Sequence, residues 1–370
     1  MSQSPIPDEL YDRVCDILNA AQTSVARTVN TAQVLSNWLI GREIIEQEQQ
    51  GQVRANYGET LLKNLAHKLK ETHGKGFSFS SLKYMRQFYL GFPDLLSDVE
   101  KSHALSGQLA ISSKLAELSR SNPAWQPGQL HPNLSWTHYR TLLPVTNRQA
   151  RSFYEIEALK NNWSSRELER QINSLLFDRL AKSTDQQGLL KLATQGHIIQ
   201  KPIDVFKDPF VMEFLDLPES PRLVESDLET ALINNLQTFL LELGKGFAFI
   251  KRQERITLEG DHFYIDLVFY HAILKCYILI DLKVGKLTHG DLGQLQLYVN
   301  YYDQERCTPD DNPTLGLILC SDKNDAVVKY TLGPAHQTQI FTSRYQLHLP
   351  TEAELTAELL RERAQAIDLT

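Results

Sequence analysis

The sequence predicts an all-α N-terminal domain of helix-turn-helix type, followed by an α/β domain with a mixed central sheet. Apolar residues recur at helical spacing over residues 8–96, whereas short apolar strands alternate with helices after residue 185. The length of 370 residues also suits two domains, each large enough to bury a core. We therefore expect a helical domain at 1–182, an α/β domain at 183–350 and a C-terminal helix at 351–370.

The predicted helical domain contains a linker and two recognisable helix starts. Residues 102–132 are rich in Ser, Gly, Pro and Gln, which is typical of a linker or an exposed loop. Ser80-Ser81 would cap the next helix, and Ser164 with Glu167 has the spacing of a capping box. Short helices with scattered Lys and Arg favour DNA binding, and a helical packing domain with solvated charges is the alternative.

Charge is distributed unevenly along the chain. The net charge is −7, but residues 51–182 carry 18 Lys and Arg against 11 Asp and Glu, a local charge of +7. The rest of the chain is therefore at −14. A basic middle of this size permits contact with phosphate groups without requiring it.

The cysteines and the first residues favour a cytoplasmic protein without membrane segments. Cys15, Cys276, Cys307 and Cys320 form no Cys-x-x-Cys pair, which argues against a zinc ribbon or a disulfide framework. The start lacks the basic and apolar regions of a secretory signal, and no run of 18 apolar residues occurs. We expect neither secretion nor a membrane partner.

The second half predicts a helix, three strands, another helix and a further strand. Ser226 would cap the first helix, which ends at Gly244, and the three strands are FAFIKRQERITL, HFYIDLVFY and KCYILIDLKV. Glu259-Gly260-Asp261 separates the first two strands, and a turn near His271-Ala272 separates the next two. The helix DLGQLQLYVNYYDQ and the strand TLGLILCS complete a mixed sheet.

Two carboxylates interrupt these apolar strands. Asp266 lies within FYIDLVFY and Asp281 within YILIDLK, so each needs a cation, a hydrogen-bond network or a metal as compensation. Residues two apart on a strand share a face, which places Lys283 with Asp281. A hairpin that turns near residue 272 would bring Asp266 beside Asp281, so that three charged groups converge.

This group has the ligands of a hard divalent cation, Mg²⁺ or Mn²⁺. Carboxylate oxygens suit such ions, whereas zinc sites usually include His or Cys. The metal would lower the pKa of bound water and neutralise charge on a phosphate, while Lys283 stabilises the hydroxide or the phosphorus centre. Glu225 and Glu229 are candidates for a third carboxylate, and Glu229 is favoured because Glu225 precedes the predicted cap.

The order of the charged and polar residues resembles the PD-(D/E)XK nuclease superfamily: Glu229, Asp266, Asp281-x-Lys283, Gln294 and Tyr298. The last pair is similar to the Q-x-x-x-Y variant of RecB-like nucleases. More closely, LLELGKGFAFIKRQ, DHFYIDLVFYHAILKCYILIDLKVGKLTHGDLGQLQLYVNYYD and NPTLGLILCSDKND resemble the bacterial YhcG-like nuclease family. NWLIGREIIEQEQQ and GKGFSFSSLKYMRQFY extend this resemblance over most of the chain, and it is weakest across the linker.

The resemblance implies a restriction-endonuclease-like fold at 185–350, a helical, winged-helix-like DNA-binding region before it, and phosphodiester cleavage with a divalent metal. Ile265 stands where the superfamily name has proline, and this change removes no ligand. Asp266, Asp281 and Glu229 would hold the metal, and Lys283 would assist the water.

Further residues are assigned to the substrate side of the site. Gln294 and Tyr298 share one helix face and could reach the metal site or the scissile phosphate, although Tyr298 as a packing aromatic is the alternative. Residues predicted to contact DNA phosphates are Arg252, Arg255 and Lys286, with Lys83 and Arg86 in the helical domain.

We therefore expect a cytoplasmic, Mg²⁺-dependent DNA endonuclease, with branched or junction DNA among its candidate substrates, acting in recombination, repair or phage defence. A homodimer would suit the cutting of two strands. Two alternatives stay open, namely a non-catalytic DNA-binding scaffold and an RNase of the same fold.

Overall fold

The computed structural model describes residues 29–49, 55–73, 75–96, 125–181, 186–218, 223–332 and 338–350. The predicted C-terminal helix and the first part of the predicted linker lie outside the described residues, while residues 125–132 form neither helix nor strand. The chain divides into two compact units, Met1–Glu169 and Arg170–Thr370. Each unit has a hydrophobic core of its own.

The described part of the N-terminal unit consists of helices. They are α1 (29–49), α2 (Ala55–His73), α3 (Phe79–Gly91), α4 (Trp136–Leu142), α5 (Arg148–Lys160) and α6 (Ser165–Asn173), which crosses into the second unit. Trp38 is buried among them and donates a 2.8 Å hydrogen bond from Nε1 to the carbonyl oxygen of Phe92. The predicted helical region is confirmed for the residues that the structure describes, and none of these forms a strand that could serve as a wing.

The two predicted helix starts have different outcomes. Ser164 and Glu167 form the predicted capping box, in which Glu167 Oε2 accepts the Ser164 N–H at 2.7 Å and Ser164 Oγ accepts the Glu167 N–H at 3.3 Å. Helix α3 instead has Ser78 as its cap, and Ser78 Oγ accepts the Ser81 N–H at 3.1 Å. The prediction of a cap at Ser80-Ser81 was wrong, because Ser78 already supplies the acceptor for the first turn.

A six-stranded mixed sheet in the order β1-β6-β5-β4-β3-β2 forms the centre of the second unit. The strands are β1 (Phe210–Val211), β2 (Phe247–Leu258), β3 (Asp261–His271), β4 (Cys276–Lys286), β5 (Leu315–Asp322) and β6 (Ile340–Gln346). β2, β3 and β4 pair antiparallel, whereas β4, β5, β6 and β1 pair parallel. The predicted mixed sheet is confirmed.

Helices cover both faces of this sheet. After α6, the described α-helices of this unit are α7 (Leu176–Ala181), α8 (Gln186–Gln195), α9 (Glu225–Asn234), α10 (Leu236–Leu243), α11 (His289–Glu305) and α12 (Asp325–Thr331). Of these, α9, α10, α11 and α12 contribute to the cores beside the sheet. One core packs α9 and α10 against Phe269 and Ile280, and the other packs α11 against Val268 and Leu279. Burial on both faces explains why β3 and β4 are apolar almost throughout. None of the helices in the described residues is long and apolar enough to cross a membrane.

The helix predicted at 226–243 is two helices, α9 and α10, separated at Asn235. Its predicted end is correct, because Gly244 follows α10 with a φ of 109°. Its predicted start was wrong: α9 begins at Glu225 after Val224, and Ser226 is inside the helix. Glu225 therefore belongs to the first turn of α9, one turn before Glu229.

Tight turns fix the two antiparallel hairpins. Glu259 and Gly260 connect β2 to β3 with φ of 48° and 99°, the two positive values that a type I′ turn requires. The β3–β4 connection runs over residues 272–275, because His271 pairs with Cys276. This turn lies close to the position that the sequence predicted, and the hairpin register follows from it.

A buried ionic cluster joins Arg170 and Arg179 to α10 and β1 within the second unit. The Glu242 carboxylate lies 2.6 Å from Arg179 Nη1 and 3.1 Å from Arg170 Nη1, and it accepts the backbone N–H of Val211 at 2.9 Å. Burial alone would raise the pKa of Glu242, but Arg179, Lys207 and Arg170 lower it to about 2. The cluster places residues 170–181 within the second compact unit.

Candidate active site

The β3–β4 ladder ends at a carboxylate. Its last pair is Leu267 with Ile280, so Asp266 lies opposite Asp281 when the register is continued. Asp266 Oδ2 accepts the backbone N–H of Leu282 at 2.8 Å, in place of a further ladder bond. The Asp266 side chain is thereby fixed against β4.

A glutamine on β2 joins two of the predicted carboxylates. Gln253 Nε2 donates a hydrogen bond to Asp266 Oδ1 at 3.0 Å and another to Glu229 Oε2 at 2.6 Å. Its backbone has a φ of 48°, a left-handed conformation that is uncommon for residues other than glycine. One amide group therefore offsets part of the repulsion between Glu229 and Asp266.

The Asp281-x-Lys283 triplet forms an ion pair on β4. Lys283 Nζ lies 3.1 Å from Asp281 Oδ2 and 3.6 Å from Glu225 Oε2. Asp281 is only 1% exposed, so its charge depends on this lysine. Both glutamates of α9 thus reach the predicted group, Glu225 at Lys283 and Glu229 at Gln253.

Burial dominates the protonation of the three carboxylates. It raises the pKa of Asp281 to about 7, an effect that Lys283 opposes and Asp266 reinforces. Burial likewise raises the pKa of Asp266 and of Glu229. For Lys283, burial alone would lower the pKa, but Asp281 and Glu225 raise it above its ordinary value. Desolvated carboxylates with raised pKa values gain most from an added cation.

The donor set fits a hard divalent ion held by two carboxylates. The candidate ligands are all oxygens, and the nearest cations to two of them are side-chain nitrogens: Lys283 Nζ at 3.1 Å from Asp281 Oδ2 and Arg252 Nε at 3.8 Å from Glu229 Oε1. No three Asp, Glu, His or Cys side chains converge on a metal position in the described part of the chain. Mg²⁺ is commonly held by one or two carboxylates together with water and substrate phosphate, so Asp266 and Asp281 suffice as protein ligands.

The predicted Gln-x-x-x-Tyr pair on α11 is hydrogen-bonded to the backbone of β3. Gln294 Nε2 donates to the Tyr298 hydroxyl at 2.5 Å, and this hydroxyl donates to the carbonyl oxygen of Tyr264 at 3.0 Å. Tyr298 is fully buried in the α11 core, and burial raises its pKa. Its contact fixes the backbone two residues before Asp266.

Thr288 and Asp291 cap α11 themselves. Thr288 Oγ1 accepts the Asp291 N–H at 3.4 Å, and Asp291 Oδ2 accepts the Thr288 N–H at 2.8 Å. The N–H groups of Thr288 and Asp291 are thus already hydrogen-bonded and are not available to an anion at the start of α11.

The predicted basic residues of the sheet unit differ in their partners. Arg252 Nε lies 3.8 Å from Glu229 Oε1, which places its charge at the site. Arg255 is exposed on β2, and Lys286 is exposed at the end of β4. All three remain predictions as DNA contacts.

The predicted basic residues of the helical unit lie on α3. Lys83 is exposed, whereas Arg86 Nε lies 2.8 Å from Glu48 Oε2 and is thus already paired. Nearby Trp38 belongs to the core and Tyr84 stacks against Arg140 at 4.5 Å. Lys83 and Arg86 also remain predictions as DNA contacts.

Gln253 is the site residue that sequence reasoning missed. A signal for it was present, because a two-residue turn at Glu259-Gly260 sets a register that places Gln253 opposite Asp266. Counting back from the turn would have identified a polar side chain beside the first aspartate.

Comparisons with known proteins agree with this fold. Residues 203–360 match the YhcG PDDEXK nuclease domain, and residues 13–179 match the DUF1016 N-terminal domain. The chain is 39% identical over 363 residues to the "Putative nuclease YhcG" of Escherichia coli (strain K12), covering 96% of this chain and 94% of that protein.

Solved structures give more distant matches. A repair endonuclease from Pyrococcus abyssi is 14% identical with a TM-score of 0.24, over 36% of this chain and 50% of that chain. The "Structure of EndoMS-dsDNA2 complex" is 13% identical with a TM-score of 0.25, over 36% of this chain and 51% of that chain. These matches span about half of the solved chains and carry no argument about function. The two domain matches and the relative over nearly the whole length show that the chain belongs to the YhcG family of PD-(D/E)XK nucleases.

Proposed function

We propose that this protein is a metal-dependent endonuclease that hydrolyses phosphodiester bonds in DNA. The observation that carries the proposal is the placement of Asp266 and Asp281-x-Lys283 where β3 and β4 separate. An intact lysine and two desolvated carboxylates at the end of the β3–β4 ladder support a catalytic role over that of a DNA-binding scaffold.

Mg²⁺ or Mn²⁺ would be held by Asp266 and Asp281, with Glu229 as the third candidate, and would neutralise phosphate charge and acidify bound water. Lys283 stands beside Asp281, where its ammonium group can orient the attacking water and stabilise negative charge that develops on the phosphate. Gln253 and the Leu282 N–H keep the Asp266 carboxylate in place. Gln294 and Tyr298 hold β3 beside it.

The test is a cleavage assay on the full-length chain with DNA and RNA of matched sequence, each with Mg²⁺, Mn²⁺ or a chelator. We expect DNA products only when the metal is present. Asp281→Ala should abolish cleavage while leaving DNA affinity within about twofold, because it removes a ligand rather than a phosphate contact. Lys283→Ala should lower turnover, and Lys329→Ala, an exposed lysine on α12, serves as the matched control.

Undiminished turnover by Asp281→Ala would contradict the proposed site. Cleavage of RNA but not of DNA would show that the substrate is RNA rather than DNA. The homodimer is a separate prediction, which the molar mass from light scattering tests directly.

A further inference from the structure

The β2–β3 hairpin extends past the end of the β3–β4 ladder. β3 pairs with β4 from Leu267 to His271, whereas its first residues pair with β2. On this projecting part, every second residue packs into the α11 core: Ile256, Leu258, Phe263 and Ile265. The residues between them face the other way.

These outward residues form a strip of four side chains, Arg255, Thr257, His262 and Tyr264, which we call the hairpin strip. Arg255 is the register partner of Tyr264, and Thr257 is the partner of His262. Thr257 Oγ1 lies 3.0 Å from His262 Nδ1, which links the second pair. All four side chains are exposed, and the Tyr264 side chain is 47% exposed.

The hairpin strip begins at the candidate active site. Gln253, two residues before Arg255, hydrogen-bonds Asp266, which is two residues after Tyr264. Two residues of an antiparallel strand span about 6.8 Å. A nucleic-acid strand leaving the site along the hairpin therefore meets Tyr264 and Arg255 first.

Charge distinguishes Arg255 from its neighbours on β2. Lys251 pairs with Glu254, and Arg252 lies 3.8 Å from Glu229. Arg255 makes no ion pair with any residue in the described ranges. Arg255 is thus an uncompensated cation next to the exposed ring of Tyr264. The guanidinium group can bind a phosphate of a nucleic-acid strand, and the ring can stack on the adjacent base.

We propose that the hairpin strip binds an unpaired DNA strand next to the cleaved bond, with Arg255 on a phosphate and Tyr264 stacked on a base. This rests on the proposed function and specifies its substrate class. Inside a duplex both faces of each base are covered by its neighbours, so stacking on Tyr264 favours an unpaired base. The favoured substrates are therefore single-stranded, splayed or branched DNA.

The experiment measures the affinity of the full-length chain, in an Asp281→Asn background that leaves DNA uncut. Two fluorescent probes are compared by anisotropy, a blunt duplex and the same duplex with unpaired arms. Tyr264→Ala should weaken binding to the armed probe about tenfold and leave the blunt probe within about twofold. Tyr264→Phe should keep the affinity for both probes, because it keeps the ring.

Arg255→Ala should weaken binding to both probes and reduce the salt dependence, because it removes a phosphate contact. The matched control is Tyr330→Ala, which removes a tyrosine that is 83% exposed on α12. A thermal melt of each variant shows whether it is folded.

An unchanged affinity of folded Tyr264→Ala for the armed probe overturns the proposal, as does an equal loss in Tyr264→Phe. Tighter binding of RNA arms than of DNA arms overturns the choice of DNA. A wild-type chain that cuts DNA with metal while Tyr264→Ala binds normally contradicts the hairpin strip alone. A chain that neither binds nor cuts DNA contradicts both this proposal and the proposed function.

Discussion

Gln253 donates a 3.0 Å hydrogen bond to Asp266 across the β2–β3 hairpin, and the same amide reaches Glu229 on α9. An edge strand thus positions the first aspartate of the site. We therefore predict that Gln253 positions Asp266.

Gln253→Ala should lower turnover by about 10–100-fold, the usual cost of losing a side chain that orients metal ligands. The variant leaves Glu229 and Asp266 to repel each other, so the metal concentration for half-maximal activity should rise as well. Steady-state kinetics over a Mg²⁺ series measures both effects. Gln200→Ala, an exposed glutamine elsewhere in the unit, is the control, and equal kinetics in the two variants would refute the role.

Asp281→Asn should stabilise the metal-free protein at about pH 8 and much less at about pH 5. Burial raises the pKa of Asp281 to about 7 in the folded chain, against about 3.9 for a free aspartate. The neutral Asp281 side chain therefore contributes fully to the free energy of unfolding below about pH 4, and this contribution is lost as the pH rises through about 7.

The expected gain from Asp281→Asn at the higher pH is about 1–3 kcal/mol, less than the full pKa shift would give, because asparagine leaves Lys283 without its carboxylate. Urea unfolding at the two pH values measures it. The control is Asp261→Asn, which replaces an exposed aspartate at the hairpin turn and should leave the free energy of unfolding unchanged at both pH values. A gain of the same size at both pH values would mean that ionisation is not its cause.

Tyr298→Phe should reduce turnover while leaving DNA affinity within about twofold, because Tyr298 acts through the Tyr264 backbone. It should also cost about 1 kcal/mol of stability, since the Tyr264 carbonyl loses a buried donor. Tyr301→Phe on the same helix is the matched control. Full turnover together with a lower free energy of unfolding in Tyr298→Phe would indicate that Tyr298 contributes to packing only.

Glu242→Gln should lower the free energy of unfolding by about 3 kcal/mol, because it leaves buried arginine charge without its carboxylate.

The same cluster bears on the predicted domain boundary at 182/183. A fragment that starts at residue 164 keeps Arg170 and Arg179, whereas one that starts at residue 183 loses both.

We therefore expect the fragment from residue 164 to unfold at a higher urea concentration than the fragment from residue 183. Circular dichroism of both fragments makes the comparison. Equal midpoints would support folding of the nuclease unit from residue 183 and would weaken the argument from the ionic cluster.

Local patterns accounted for β2, β3, β4 and β5, for the turns between the first three of them and for the two aspartates, whereas β1 and β6 were not predicted. The Glu259-Gly260 turn fixes the β2–β3 register, and alternation fixes which side of β4 carries Asp281 and Lys283. The start of α9 was less certain from sequence, because Val224 offers no side-chain cap, while Ser226, two residues later, has the residue type of a cap.

The sequence by itself determined that charged groups would lie within buried strands and need compensation, since a desolvated carboxylate is costly in any fold. Only the tertiary structure decided the partners: Glu229 meets Gln253, Glu225 meets Lys283, and Tyr298 meets Tyr264. Each of these contacts joins elements that are distant along the chain. Their meeting depends on how α9 and α11 pack across the sheet, which no local periodicity specifies.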